Sequence, residues 1–271
     1  MKKILTILLI ISTLLFVSCY QQKHPIAEEP QKDEPKTEVE ISGVQYIRTN
    51  GVNDIFEYPR LIRISSRKSL DYYLSSFNGI YSLGKREKLY SDSTIGFADA
   101  IEKYDSEYFE SYDLYLAVIE EGSGSIRHLV EDAADGYVEI VSLIPETAGI
   151  EDMAEWHIII EVNKGASLIG INDKKTSVYT PEEIYAEFLE VLKRTALDYL
   201  KEYGFTEVQL SEFTRTDFGT VNATGFENPL GYSPGYSESP VWMTTVLDAE
   251  GKIELYLCDA PFVFGYKSIP S

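Results

Sequence analysis

The sequence predicts an α+β protein: an antiparallel, meander or sandwich-like β region with short helices, then a long helix packed on a small antiparallel sheet. Three observations carry this expectation. Four strand-like runs follow one another, Leu114–Ile119 (LYLAVI), Ile126–Val130, Tyr137–Ile144 (YVEIVSLI) and Trp156–Val162 (WHIIIEV). An amphipathic helical pattern then runs from Pro181 to Tyr203, and strand signals return at Met243–Leu247 and Ile253–Leu257.

Taken in order, the folded part opens with extended signals at Val44–Ile47 and Leu61–Ile64, the second launched by Pro59. Ser66 precedes a short helix whose Leu70, Tyr73, Leu74 and Phe77 recur at helical spacing, and Asn78-Gly79 predicts its end. A second short helix is expected from Ile95 to Tyr104. The Gly122-Ser123-Gly124-Ser125 turn predicts a hairpin between Leu114–Ile119 and Ile126–Val130, the start of a four-stranded meander. In the last of these strands Trp156, Ile158, Ile160 and Val162 share one face, and His157, Ile159 and Glu161 the other.

Beyond Lys164 the pattern changes. Thr180-Pro181-Glu182-Glu183 reads as N-cap, first-turn proline and capping-box acid, and Gly204 as the C-terminal cap. Ile184, Phe188, Val191, Leu192, Ala196 and Leu200 form the apolar side of this helix, which must lie on a sheet. Thr206–Leu210 and the hairpin Met243–Leu247 with Ile253–Leu257 are the expected partners. The division is therefore a leader at 1–18, a tether at 19–40, a mostly β domain at 41–164 and an α+β domain at 176–271.

The first 40 residues give an address. Lys2 and Lys3 precede 14 uncharged, mostly apolar residues, Ile4–Val17, too few to span a bilayer and right for a signal peptide. Leu15-Phe16-Val17-Ser18-Cys19 resembles the lipobox of bacterial lipoproteins, which implies cleavage before Cys19, acylation of its thiol and amine (diacylglycerol and a fatty acid such as palmitate) and an extracytoplasmic location on a membrane. Tyr20–Glu40 carries three prolines and many charges, as a spacer would. Cleavage would take two lysines from the 24 basic side chains, leaving 22 against 44 acidic ones, a net charge of −22. Such acidity disfavours nucleic acid as a partner. With Cys19 acylated, Cys258 has no second thiol to pair with.

The Tyr108-Phe109 pair, the LYLAVI strand, the Gly-Ser turn at 122–125 and the YVEIVSLI and WHIIIEV strands together resemble, in order, the C-terminal domain of PrcB-type lipoproteins. The resemblance covers residues 41–164. It implies an assembly role beside a surface protease, not the protease itself. Residues 176–271 resemble no family.

No residue set in the sequence specifies a reaction. His128, between Ile126 and Val130, reads as a satisfied strand histidine. His157 with Glu161 on one strand face could orient an imidazole or form an ordinary solvent-side pair. Cys258 lacks a thiol-enzyme context. Glu131–Gly136 starts like a calcium loop, but its twelfth position would be Ser142, where a bidentate acid is needed. No metal or cofactor is expected. The long stretch Phe218–Trp242 is aperiodic and rich in Gly, Pro and aromatics. Its Phe226, Tyr232, Tyr236 and Trp242 suit sugar or peptide contacts, or else cover the long helix. The expectation is a membrane-anchored, non-catalytic binding or complex-assembly module for an envelope protein or polysaccharide; the alternative is an acid-based cell-envelope hydrolase.

Overall fold

A computed structural model of the chain describes residues 38–49, 56–85, 95–146, 153–202, 204–205, 208–217, 226–227, 240–247, 252–257 and 263–269. At 216–217, 226–227, 240–242, 247, 252–253 and 263–269 it describes the backbone alone. The elements are β1 (Ile41–Thr49), β2 (Arg60–Ile64), α1 (Arg67–Tyr81), α2 (Phe97–Ala100) running into a 3₁₀ turn at Ile101–Lys103, α3 (Tyr108–Ser111), β3 (Tyr112–Glu121), β4 (Arg127–Ala134), β5 (Tyr137–Leu143) and β6 (Ala154–Asn163). There follow β7 (Gly170–Ile171), β8 (Lys174–Lys175), β9 (Val178–Tyr179), α4 (Pro181–Glu202), β10 (Gln209–Leu210), β11 (Thr214–Asp217), β12 (Phe226–Glu227), β13 (Pro240–Leu247), β14 (Lys252–Leu257) and β15 (Val263–Ile269). The α+β class is therefore correct.

Strand pairing departs from the expected meander. The central five-stranded sheet has the order β1-β6-β3-β2-β9, and a separate four-stranded sheet runs β4-β5-β7-β8. β3 pairs with β2 and β6, so Leu114–Ile119 and Ile126–Val130 form no hairpin; the 122–126 connection crosses between sheets. The burial of each strand explains this. Asp113 to Val118 are buried without alternation, so β3 needs cover on both faces, whereas β4 alternates and needs cover on one. On one side of the central sheet Tyr115, Ala117, Trp156, Ile158 and Ile160 pack on Val138, Ile140 and Ile171 of the four-stranded sheet. On the other, Ile62, Leu116, Val118 and Ile159 meet α1, Phe97 and α4.

The helices follow their sequence signals except at one end. Ser66 caps α1, its Oγ accepting from the Ser69 amide at 3.1 Å. Asn78-Gly79 does not stop this helix, which continues to Tyr81. Ile80 and Tyr81 are buried in the core, and that burial outweighs the cost of about 1 kcal/mol for a helical glycine. At α4 the capping box forms: the Glu183 amide donates to Thr180 Oγ1 at 3.2 Å, and the Thr180 amide to Glu183 Oε2 at 2.7 Å. At its far end Gly204 has φ +84°, with Gly204 N donating to Lys201 O and Phe205 N to Leu200 O, the paired bonds of a Schellman cap.

Residues 37–271 form one compact unit. Within it Ile184, Phe188, Leu192, Ala196 and Leu200 of α4 share a single apolar cluster with Ile62 and Leu116 of the central sheet and with Leu255 and Leu257 of β14. The third sheet runs β10-β13-β14-β15-β12, with β11 also on β13. Its β13–β14 hairpin pairs Met243–Leu247 with Lys252–Tyr256, as the strand pattern predicts. Among the described residues no helix is long and apolar enough to cross a membrane.

Candidate functional site

His157 and Glu161 lie on one face of β6, but that face is covered by helices rather than open to solvent. The solvent-side pair is therefore replaced by two separate buried networks. His157 is fully buried, with the Tyr81 and Phe97 rings edge-on at 4.8 and 5.6 Å. Thr49 Oγ1 donates to the Glu155 carbonyl at 3.2 Å, so its single proton is committed and it accepts from His157 Nδ1 at 3.0 Å. His157 Nε2 then accepts from the Tyr73 hydroxyl at 2.8 Å. Burial drives the imidazole pKa down to about 3, so the ring is neutral at physiological pH, with both nitrogens occupied. This arrangement positions Thr49 and Tyr73; it offers no proton acceptor to a substrate.

Glu161 is likewise saturated. Its Oε1 accepts from Lys103 Nζ at 2.6 Å and Tyr104 OH at 2.9 Å, and its Oε2 from Tyr108 OH at 3.0 Å. Burial raises this carboxyl's pKa, but the donors and the Lys103 charge outweigh it and hold the group below its ordinary value. The same logic governs Asp113 at the end of β3. It is buried, yet Lys164 Nζ at 2.8 Å, Arg63 Nη2 at 2.7 Å and the Gly165 amide keep it ionised, with a depressed pKa. His128 is buried, where a satisfied strand histidine was expected, but only one ring nitrogen is partnered: Nε2 lies 2.8 Å from Glu121 Oε1, Nδ1 has no hydrogen-bond partner among the described residues, and the ring is edge-on to Trp156.

The described residues leave a different place open. A cleft of about 850 Å³ lies between one stripe of α4, the 174–179 segment and the residues leading into β2. The helix contributes Glu187, Glu190, Val191 and Arg194, whose spacings of three and four residues put them on one face. Facing them are Lys174, Lys175, Thr176, Ser177 and Tyr179. That segment is placed by the β7–β8 hairpin, whose turn residues Asn172 and Asp173 have φ +50° and +58°, and by parallel pairing of β9 with β2.

The cleft's base is rigid. Arg60, 4 % exposed, donates from Nη1 and Nη2 to both carboxylate oxygens of Glu187 at 3.1 and 2.9 Å. Its guanidinium lies 4.2 Å from the Phe56 ring centroid and 5.1 Å from that of Tyr179. Next to it Tyr58 donates to Glu155 Oε1 at 2.6 Å, with Tyr81 OH 3.5 Å away. A fixed floor and exposed polar walls are what a binding cleft needs.

Sequence reasoning missed this site. The Asn172-Asp173 pair followed by Lys174-Lys175 was an available hairpin signal, but only the β2–β9 pairing brings it opposite Arg194. Of the aromatics expected to bind, Phe226 lies on β12 and Trp242 on β13, beyond which their side chains fall outside the described set. Tyr232, Tyr236, Cys258 and Cys19 lie outside the described residues altogether. Among the described residues no three His, Cys, Asp or Glu side chains come together as a metal set. No family model, curated protein or solved structure matches the chain.

Proposed function

We propose that this chain is an extracytoplasmic lipoprotein, held on a bacterial membrane through Cys19, that acts as a non-catalytic binding or complex-assembly module. The lipobox-like Leu15–Cys19 run and the Pro-rich, charged spacer after it support the anchor. The observation that carries the binding role is the cleft: it is open, polar and built on the clamped Arg60–Glu187 pair, while His128 and His157 are buried elsewhere. An assembly role also agrees with the PrcB-like order of strands over 41–164. Phe226, Tyr232, Tyr236 and Trp242 are further aromatic contacts proposed for a partner.

The test is capture of envelope components by the full lipidated chain, compared with a chain bearing Tyr232→Ala and Tyr236→Ala. Retention of a saturable envelope partner, with no soluble fragment released from envelope polymer, is the expected result. Release of polymer fragments in proportion to added protein would overturn the non-catalytic reading. Absence of any saturable partner would overturn the binding reading.

A further inference from the structure

We propose that the cleft between α4 and the 174–179 segment takes an extended acidic peptide, an inference that rests on the binding-module reading above. Charge accounting is the first support. Within the lining, Arg60 is neutralised by Glu187, and Glu190 lies 3.6 Å from Lys193. Lys174, Lys175 and Arg194 are exposed and have no carboxylate partner among the described residues. Glu57 is the one lining acid without such a pairing. Three unpaired cations, against one unpaired acid, thus converge from two separate stretches of a chain whose net charge is −20. An anionic ligand is repelled by the rest of the surface and drawn here, which localises it.

Backbone geometry then selects a peptide. β8 is the terminal strand of the four-stranded sheet and β9 that of the five-stranded sheet. The 174–179 segment therefore borders the cleft with two sheet edges that carry no further strand among the described residues, and an extended chain can pair with such edges. An acidic glycan fits less well, because the lining offers no uncommitted aromatic platform. Tyr179 faces the Arg60 guanidinium, and the Tyr58 hydroxyl is held by Glu155.

The experiment measures binding of fluorescein-labelled hexaglutamate to the full chain by polarisation, with hexaglutamine and polygalacturonate as comparison probes, at low and high ionic strength. Hexaglutamate is expected to bind saturably, weakening as salt rises, and hexaglutamine not to bind. The triple variant Lys174→Glu, Lys175→Glu, Arg194→Glu should weaken it at least about tenfold. These side chains are exposed and unpaired, so its melting temperature should match the wild type. Should it misfold, Arg194→Gln alone must still weaken hexaglutamate measurably. Equal binding by the folded variant, no hexaglutamate binding, or binding of polygalacturonate alone would each overturn the proposal. If envelope capture persists in the triple variant while hexaglutamate fails to bind, the acidic-peptide assignment falls and the module reading stands. If the wild type captures nothing, the reading beneath it falls instead.

Discussion

Replacing Glu187 by Gln removes the counter-charge of a nearly dry guanidinium. The Arg60 side chain is 5 % exposed and that of Glu187 39 %. Removing one partner of a buried ion pair costs about 3–5 kcal/mol. Because water reaches the Glu187 side, and the amide keeps one acceptor, about 2 kcal/mol is expected here. Equilibrium urea unfolding followed by circular dichroism should show this as a lower midpoint at unchanged m; with m of about 2 kcal/mol/M the shift is about 1 M. The double variant Arg60→Met, Glu187→Met should recover most of the loss, because an apolar pair of similar volume needs no counter-charge. A loss below about 0.5 kcal/mol for Glu187→Gln, or a double variant no more stable than Glu187→Gln, would refute the view that this pair holds the floor of the cleft.

Three further outcomes are expected. Since burial lowers the His157 pKa from 6.5 to about 3, the folded state resists protonation that the unfolded chain accepts. Its contribution is therefore full above pH about 6.5 and is lost toward pH 3, by at most about 1.4 kcal/mol per pH unit. His157→Phe should destabilise by about 2 kcal/mol at neutral pH, leaving the buried Tyr73 hydroxyl without its acceptor, and should flatten that acid slope in a pH series of unfolding curves. A Cβ at Gly43 would lie 2.9 Å from Glu161 Cδ and Oε1, so Gly43→Ala should push the carboxylate out of its three-donor cage. Melting experiments should show a loss of about 1–2 kcal/mol, and a stability equal to wild type would contradict the cage. Finally, Cys19→Ser should abolish lipid labelling and move the protein from the membrane to the soluble fraction; retention on the membrane would show that another anchor exists.

Local signals in the sequence determined the class and both ends of α4, though not the end of α1. The capping box at Thr180–Glu183, the Schellman glycine at 204 and the two faces of β6 were all legible, because each depends on residues within a turn or two of one another. Which strands pair depends on contacts far apart in sequence. The Gly-rich turn at 122–125 pointed to a hairpin, but the two-sided burial of β3 sent its pairing to β2 and β6. Likewise His157 and Glu161 had the right period to share a face, and period alone cannot say whether water or a helix covers that face. The cleft was least legible of all. Lys174 and Lys175 face Arg194 only because α4 lies on the central sheet beside β9, and that is decided by burial of Ile184, Phe188 and Leu192, not by any preference of the charged residues themselves.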